Sequence, residues 1–221
     1  MIEKRKNRPS LKFILSVFIG SALASGVVIF SILYFLLEPE PPQPLYLQGN
    51  PDGVRELSTP RELIDFTLPS STGEDVSLSD FQDASVLLFF GYTYCPDICP
   101  LTLSHVRQAH ELLGDRADGV KFVYITVDPA RDTVERLAEY FIPFRVADFT
   151  VGLVGDDLTL QRISADYSLY YQLNNEDDSS TYSVDHTASI YFINTEGQLD
   201  TIFSYGTRPE TIVEHILDKM P

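Results

Sequence analysis

The chain has 221 residues, of which 16 are basic and 32 are acidic, so its formal net charge is −16. This length suits one globular domain with an accessory segment, and a composition of 44% hydrophobic and 22% charged residues excludes a disordered or collagen-like chain. The acidic excess opposes non-specific binding to nucleic acid, which requires basic residues to displace counterions from phosphates, so no nucleic-acid partner is expected.

The N-terminal segment differs from the rest of the chain in charge. Five basic residues lie within residues 1–12, whereas residues 13–221 hold 11 basic and 31 acidic residues, a net charge of −20. From Phe13 to Leu37 there are 25 consecutive uncharged residues, which is more than a helix needs to cross about 30 Å of hydrocarbon. We therefore predict a cytoplasmic basic tail, residues 1–12, and one transmembrane anchor, residues 13–37.

The orientation follows from the positive-inside rule, which places the basic tail in the cytoplasm and the rest of the chain across the membrane. The alternative is a cleaved signal peptide, because Ala22-Leu23-Ala24 matches an A-x-A cleavage site. The apolar run is longer than the about 7–15 residues of a signal-peptide core, which favours a retained anchor. Since only twelve residues precede the run, we expect a single-pass protein of the bacterial inner membrane with its C-terminal domain in the periplasm.

A proline-rich segment follows the predicted anchor. Residues 38–44 contain four prolines, and such a segment is extended and semi-rigid. We predict a linker over residues 38–60 and a folded domain over residues 61–221. The polar run of residues 174–181 (NNEDDSST) is predicted to be a solvated loop within that domain.

Apolar runs and helical periodicities alternate along the domain. A hairpin is predicted first, from Phe66–Leu68 and Val76–Leu78 around Gly73. Further strands are predicted at Val86–Tyr92, Val120–Val127, Thr150–Val154, Ala188–Ile193 and Leu199–Tyr205, the last two joined by a turn over residues 194–197. Helices are predicted at Leu101–Leu113, from an Asp132-Thr133 cap to Phe141, at Leu158–Tyr167 and at Pro209–Lys219. This order favours the α/β class and a mixed sheet flanked by helices, as in the thioredoxin-like fold.

The two cysteines of the chain, Cys95 and Cys99, lie in GYTYCPDICP, directly after the first buried strand. The carboxyl ends of parallel strands are where open α/β sheets place their sites. The C-x3-C spacing allows a structural disulfide, although so small a loop adds little stability. It also allows a dithiol redox couple with Cys95 as thiolate at a helix N-terminus, a site for Cu(I) or Zn(II), or a thiol peroxidase. The spacing alone does not choose among these four.

Histidine separates the alternatives. His186 stands just before the predicted strand ASIYFI, and in a thioredoxin-like sheet that position lies beside the cysteine loop. Its imidazole could therefore complete a site of two sulfurs and one nitrogen. The other three histidines, His105, His110 and His215, are interpreted as surface or packing residues.

Three segments together resemble a known family. GYTYCPDICP, then TVDPARDT at Thr126–Thr133, then VDHTASIYFIN at Val184–Asn194 resemble the three signature blocks of the Sco/SenC family. Its members are membrane-anchored, thioredoxin-like proteins that deliver copper during cytochrome c oxidase assembly. The resemblance runs from about Leu63 to the end of the chain and includes the predicted N-terminal anchor.

The resemblance implies a role for each matching residue. Cys95, Cys99 and His186 match the family's copper ligands, with copper as Cu(I) or Cu(II), and Cys95 and Cys99 would form a redox disulfide. Asp97 and Asp185 are candidates for an outer shell that tunes the charge of the site or donates a hydrogen bond.

Four further positions bear on the resemblance. Asp128, Arg131 and Asp132 match the second block, where a turn and a helix cap account for them without chemistry. Tyr94 stands where the family often has histidine, so no imidazole is available at that position.

The resemblance thus implies a copper metallochaperone rather than a conventional enzyme. Its partners would be the copper-bearing subunit of cytochrome c oxidase, other copper chaperones or thiol reductants, and the membrane through the N-terminal helix. The alternative is a thiol-disulfide oxidoreductase that acts on cysteines of a partner's copper site and tolerates loss of His186. A peroxidase is less favoured, because the chain lacks a PxxxTxxC pattern.

Overall fold

The computed structural model describes residues 52–174 and 182–220. The predicted basic tail, the predicted anchor and residues 38–51 of the predicted linker lie outside the described residues, as do residues 175–181 of the predicted polar loop. Within the two described ranges, no helix combines the length and the hydropathy needed to cross a bilayer.

The folded region alternates strands and helices, with every predicted element in its predicted order and three additional strands. Its strands are β1 (Val54–Glu62), β2 (Thr67–Pro69), β3 (Asp75–Ser77), β4 (Ser85–Gly91), β5 (Val120–Thr126), β6 (Thr150–Leu153), β7 (Tyr171–Asn174), β8 (Ser183–His186), β9 (Ile190–Ile193) and β10 (Gln198–Phe203), of which β1, β7 and β8 are the additional ones. Its α-helices are α1 (Ile98–Leu113), α2 (Val134–Phe141), α3 (Asp157–Tyr167) and α4 (Pro209–Lys219). Short 3-10 helices span Leu78–Phe81 and Gly114–Gly119.

A six-stranded mixed sheet forms the centre, in the order β1-β10-β9-β4-β5-β6. Strands β4, β5 and β6 are parallel, and β9, β10 and β1 add antiparallel pairs. All seven residues of β4 are buried, which is typical of a central strand whose two faces are both covered. The predicted mixed sheet flanked by helices is therefore confirmed.

The predicted hairpin and helix caps have clear local causes. Strands β2 and β3 pair around Gly73, whose φ of +90° favours glycine. Helix α2 begins after Thr133, whose side chain accepts a hydrogen bond from the backbone N–H of Arg136. Helix α1 begins at Ile98, three residues earlier than predicted, so it includes Cys99.

Two further differences lie outside the apolar runs. Strand β1 begins at Val54, inside the range predicted as linker, so residues 54–60 belong to the sheet and that boundary is corrected. Seven of its nine residues are exposed. Backbone pairing with β10 holds both ends of the strand, and Val54 and Leu57 pack against the core. Strands β7 and β8 form a separate two-stranded sheet that the sequence patterns did not predict.

The topology brings three segments to one edge of the sheet. Strands β4 and β5 are parallel, their last residues Gly91 and Thr126 are paired, and the backbone N–H of Val127 donates to the carbonyl of Gly91. Strand β9 runs antiparallel to β4 and pairs Ile190 with Phe89, so the chain before β9 reaches the same edge. The cysteine loop, the segment after β5 and the segment around residue 186 therefore meet.

Candidate metal centre

The C-x3-C spacing places the two sulfurs at the start of helix α1. Cys95 lies in the loop after β4, and Cys99 is the second residue of the helix. The backbone N–H of Cys99 points at Cys95 Sγ, at 3.5 Å. Free N–H groups and the positive end of the helix dipole favour a negative charge at that position, so the helix start is suited to a thiolate at Cys95.

The two thiols differ in access to solvent. Both are free, but Cys99 is completely buried whereas Cys95 keeps 8% of its surface exposed. Gly91 forms the floor beneath Cys99, because a Cβ at that glycine would lie 2.8 Å from Cys99 Sγ. Only a residue without a side chain leaves this room for the sulfur.

His186 is the last residue of β8 and faces the sulfurs from the opposite side. Its Nε2 lies 3.7 Å from Cys99 Sγ. Its Nδ1 lies 3.1 Å from the carbonyl oxygen of Thr187, which can only accept a hydrogen bond, so Nδ1 carries a proton and Nε2 is the nitrogen that faces the sulfurs. The ring is held edge-on against Phe89 and Tyr92.

Together these residues form a group of three donor atoms. The two sulfurs and one imidazole nitrogen all lie within 4.8 Å of one another. Two thiolates and an imidazole suit a soft ion such as Cu(I), or Zn(II) if a fourth ligand is added. In addition, a backbone carbonyl orients the imidazole, as is usual for a metal-binding histidine.

Two of the other three histidines, all of which are predicted to be surface or packing residues, lie in packing environments. His110 stacks on Phe149, with ring centroids 3.7 Å apart. His215 lies edge-on to Phe192 and Phe203, and its Nε2 is hydrogen-bonded to Thr201 at 2.7 Å.

The two cysteines have opposite pKa shifts. A hydrogen bond from the Cys99 thiol lowers the pKa of Cys95 to about 4, and the His186 imidazole and the backbone N–H groups of Cys99 and Asp97 act in the same direction. Burial raises the pKa of Cys99 well above its ordinary value. Near neutral pH, the reduced site thus holds one thiolate, at the more accessible sulfur.

The two aspartates proposed for an outer shell are both exposed. Asp97 is the N-cap residue of α1, but its side chain makes no capping hydrogen bond. Its contribution to Cys95 comes from its backbone N–H rather than its carboxylate. Asp185 pairs with Gln172 in the β7–β8 sheet.

The second sequence block does more than form a turn and a cap. Asp128 is buried, and it accepts hydrogen bonds from Arg131 Nε and from the Tyr182 hydroxyl. Arg131 also donates to the carbonyl of Tyr182 at 2.9 Å, and its guanidinium lies 3.5 Å from the centre of that ring. This Asp128–Arg131–Tyr182 cluster fixes the residue that precedes β8, the strand that carries His186.

Asp132 likewise departs from the expected role, since the helix cap is Thr133. The Asp132 carboxylate is buried and accepts from the backbone N–H and hydroxyl of Thr93 and from the hydroxyl of Thr126. It thereby joins the cysteine loop to the end of β5. The structural roles of Asp128 and Asp132 depend on the burial of their carboxylates. Sequence patterns do not show that an aspartate in a turn is buried.

Tyr94 is half exposed beside Cys95. The guanidinium carbons of Arg131 and Arg136 lie 4.6 Å and 4.2 Å from the centre of its ring. Its side chain is thus held by two cation-π contacts at the rim of the site.

Comparisons with known proteins agree with this architecture. The SCO1/SenC family model matches residues 55–220. The mouse mitochondrial protein SCO2 homolog is 36% identical over 154 residues, which cover 69% of this chain but only 60% of that relative. An SCO2-like protein of Rickettsia felis is 28% identical over 204 residues, covering 92% of this chain and 96% of the relative.

Solved structures share the fold. ScoI of Bradyrhizobium japonicum, solved with copper bound, is 30% identical with a TM-score of 0.65, over 72% of this chain and 99% of that one. The apo Sco1 protein of Thermus thermophilus is 32% identical with a TM-score of 0.66, over 74% of this chain and 94% of that one. With the family model matched over most of the chain, this protein belongs to the SCO1/SenC family.

Proposed function

We propose that this protein binds copper through Cys95, Cys99 and His186 and acts as a metallochaperone in the assembly of cytochrome c oxidase. The observation that carries the proposal is the group of two sulfurs and one imidazole nitrogen within 4.8 Å. Membership of the SCO1/SenC family and the copper-bound Bradyrhizobium relative support copper as the ion.

The ligand chemistry couples copper binding to the redox state of the cysteines. In the dithiol form, two sulfurs and one nitrogen hold Cu(I) without needing a fourth ligand. Oxidation to a Cys95–Cys99 disulfide by an external thiol oxidant removes two electrons and the single proton of the Cys99 thiol, and it leaves only His186 as a strong donor. The oxidised protein therefore cannot retain the ion, and its cargo would pass to the copper-bearing oxidase subunit while the site is reduced.

The experiment that tests copper binding is an anaerobic titration of the reduced, detergent-solubilised full-length protein with Cu(I), in competition with a chromophoric chelator. We expect one tight equivalent, weakened at least about tenfold by His186→Ala, which removes a ligand. His110→Ala is the matched control, since that ring stacks on Phe149 away from the sulfurs. No tight equivalent in the wild type, or equal affinity in both variants and the wild type, would contradict a Cys2His site.

A second function, reduction of a disulfide in the partner's copper site, is favoured by the low pKa of Cys95. A thiolate at the accessible sulfur with a buried thiol beside it is the arrangement that thiol-disulfide exchange requires. If reduction of a disulfide-bonded oxidase subunit proceeds equally well with His186→Ala and without copper, reduction rather than delivery is the main role. If reduction of the oxidase subunit requires His186, the result supports the chaperone role.

We propose further that the chain is anchored in the bacterial inner membrane, with its basic tail in the cytoplasm and its folded domain in the periplasm. The uncharged run of residues 13–37 supports this placement. After a carbonate wash we expect the whole protein in the membrane fraction. Recovery of a shortened soluble form would instead support a cleaved signal peptide.

A further inference from the structure

Tyr124 places a hydroxyl group deep in the core of the protein. The residue lies on β5 and has no exposed surface. Within the described part of the chain its hydroxyl makes no hydrogen bond of ordinary length and angle. A buried, unsatisfied hydroxyl is costly, and phenylalanine would fill the same space without this cost, so the group requires an explanation.

The sulfur of Cys99 lies close to this hydroxyl. A Cβ placed on Gly91 would lie 2.8 Å from Cys99 Sγ and in still closer contact with Tyr124 Oη, so the hydroxyl and the sulfur face the same small space left by the glycine. Electrostatics agree with this geometry. Burial is the largest influence and raises the pKa of Cys99, and the neighbouring Tyr124 hydroxyl acts in the opposite direction.

We propose that Tyr124 is a positioning residue for the metal centre, whose hydroxyl donates a hydrogen bond to Cys99 Sγ and so favours the dithiol, copper-binding form over the disulfide. The donor matters because the acceptor changes between the two forms. In the reduced protein Cys99 Sγ donates its proton toward the Cys95 thiolate, and in the copper-bound protein it is bonded to the ion. In both forms the sulfur carries more negative charge than a disulfide sulfur, so it accepts a stronger hydrogen bond.

In the dithiol form three groups make a chain. The Tyr124 hydroxyl donates to Cys99 Sγ, and the Cys99 thiol donates to the Cys95 thiolate. Reduction of the disulfide by a dithiol reagent takes up two electrons and breaks the S–S bond, which leaves Cys99 as a thiol and Cys95 as a thiolate. The reagent loses two thiol protons, one to Cys99 and one to solvent, and becomes a cyclic disulfide. The hydroxyl proton stays on Tyr124 throughout, so Tyr124 stabilises one form without taking part in the exchange.

Tyr124→Phe tests the proposal in copper-free protein, since it removes the donor and keeps the ring. The full-length protein in detergent is equilibrated with mixtures of reduced and oxidised dithiothreitol, and the reduced fraction is read by mass after alkylation. We expect an about tenfold shift of the equilibrium toward the disulfide, which for a two-electron couple is a reduction potential lower by about 30 mV. An unchanged potential would overturn the proposal.

Tyr140→Phe is the matched control. The Tyr140 hydroxyl is also buried and unpartnered in the described residues, and its ring centre lies 6.3 Å from that of Tyr124. No hydrogen bond to Cys99 contributes to its pKa, which rises chiefly through burial. We expect Tyr140→Phe to leave the reduction potential unchanged, and an equal shift in both variants would refute a specific bond from Tyr124.

A spectrum gives a readout that a merely structural role would not move. With Cu(II) added as a probe, the sulfur-to-copper charge-transfer band of Tyr124→Phe should move to longer wavelength, because a sulfur that has lost a hydrogen bond gives up electron density more readily. This second readout rests on the proposed copper site, whereas the potential does not. Failure of copper binding in the wild type would therefore contradict the proposed function, and an unchanged potential would contradict the role of Tyr124.

Discussion

The opposite pKa shifts of the two cysteines predict that alkylation of the reduced protein is selective. Cys95 is the thiolate, with a pKa lowered to about 4, whereas burial raises the pKa of Cys99. Because the thiolate is the nucleophile, iodoacetamide should modify Cys95 first. Cys95 is also the less buried of the two residues, so access and ionisation favour the same cysteine.

The pH profile follows from the pKa of Cys95. With a pKa of about 4, roughly 99% of Cys95 is thiolate at pH 6, against about 0.3% for an ordinary cysteine with a pKa of about 8.5. The alkylation rate should therefore stay flat from pH 8 down to pH 5 and halve near pH 4. An ordinary thiol would instead lose about a factor of ten in rate for each pH unit below 8.

The relative sizes of the influences on the pKa of Cys95 predict how variants shift the midpoint pH of its alkylation profile. The hydrogen bond from Cys99 is the largest influence on the pKa of Cys95, and the His186 imidazole is a smaller one. Cys99→Ala should thus raise the inflection more than His186→Ala does, and Cys99→Ser, which keeps a donor, should raise it less than Cys99→Ala.

Mass spectrometry of peptides from pulse-alkylated, copper-free protein measures these rates. A control in denaturant should give two equal rates with ordinary pH profiles. An inflection near pH 8 at Cys95 in the folded protein, or faster modification of Cys99, would refute the assignment of the thiolate.

Two further predictions concern the walls of the site. Gly91→Ala should lower the free energy of unfolding by about 1–3 kcal/mol and weaken copper binding, because the added Cβ would lie 2.8 Å from Cys99 Sγ. The control is Gly155→Ala, whose added Cβ would lie 3.2 Å from its nearest neighbour, so it should lose less free energy of unfolding in a denaturant titration. Equal losses in the two variants would contradict the close approach at Gly91. Asp128→Asn should lower the free energy of unfolding by about 3 kcal/mol and the melting temperature by about 6–12 °C, because it leaves the Arg131 guanidinium without its buried carboxylate. The control is Glu111→Gln, which breaks the exposed ion pair with Arg107 and should lower the free energy of unfolding by less than about 1 kcal/mol. Similar melting temperatures for these last two variants would show that the buried pair does not hold the segment before β8.

The sequence predicts the central sheet and helices well because their signals are local. Runs such as Val86–Tyr92 and Val120–Val127 are apolar enough to indicate strands buried on both faces, and the structure places β4 and β5 there. Strand β1 could not be recognised in this way, since seven of its nine residues are exposed and its pairing with β10 is made by backbone atoms. Strands β7 and β8 are short and flank a polar run, so they resemble a loop.

The three candidate ligands could be named from the sequence, but their surroundings could not. The C-x3-C spacing and the position of His186 before a strand are visible in one dimension. The contacts of Asp128 with Tyr182 and of Asp132 with Thr93 join residues 54 and 39 positions apart, and acids in a turn ordinarily face solvent. Tyr124 lies in an apolar run where an aromatic residue indicates only core packing.

The placement of His186 on its own small sheet has a mechanical consequence. Both cysteines belong to the main sheet edge and helix α1, whereas His186 is carried by the β7–β8 hairpin, which pairs with neither. An ion held by all three residues would link this hairpin to the core. By thermodynamic linkage, a tighter-binding ion would raise the free energy needed to open the hairpin. Amide hydrogens of the hairpin should then exchange more slowly when the site is loaded, and a partner that draws the hairpin aside would loosen the ion without reaching the buried sulfur.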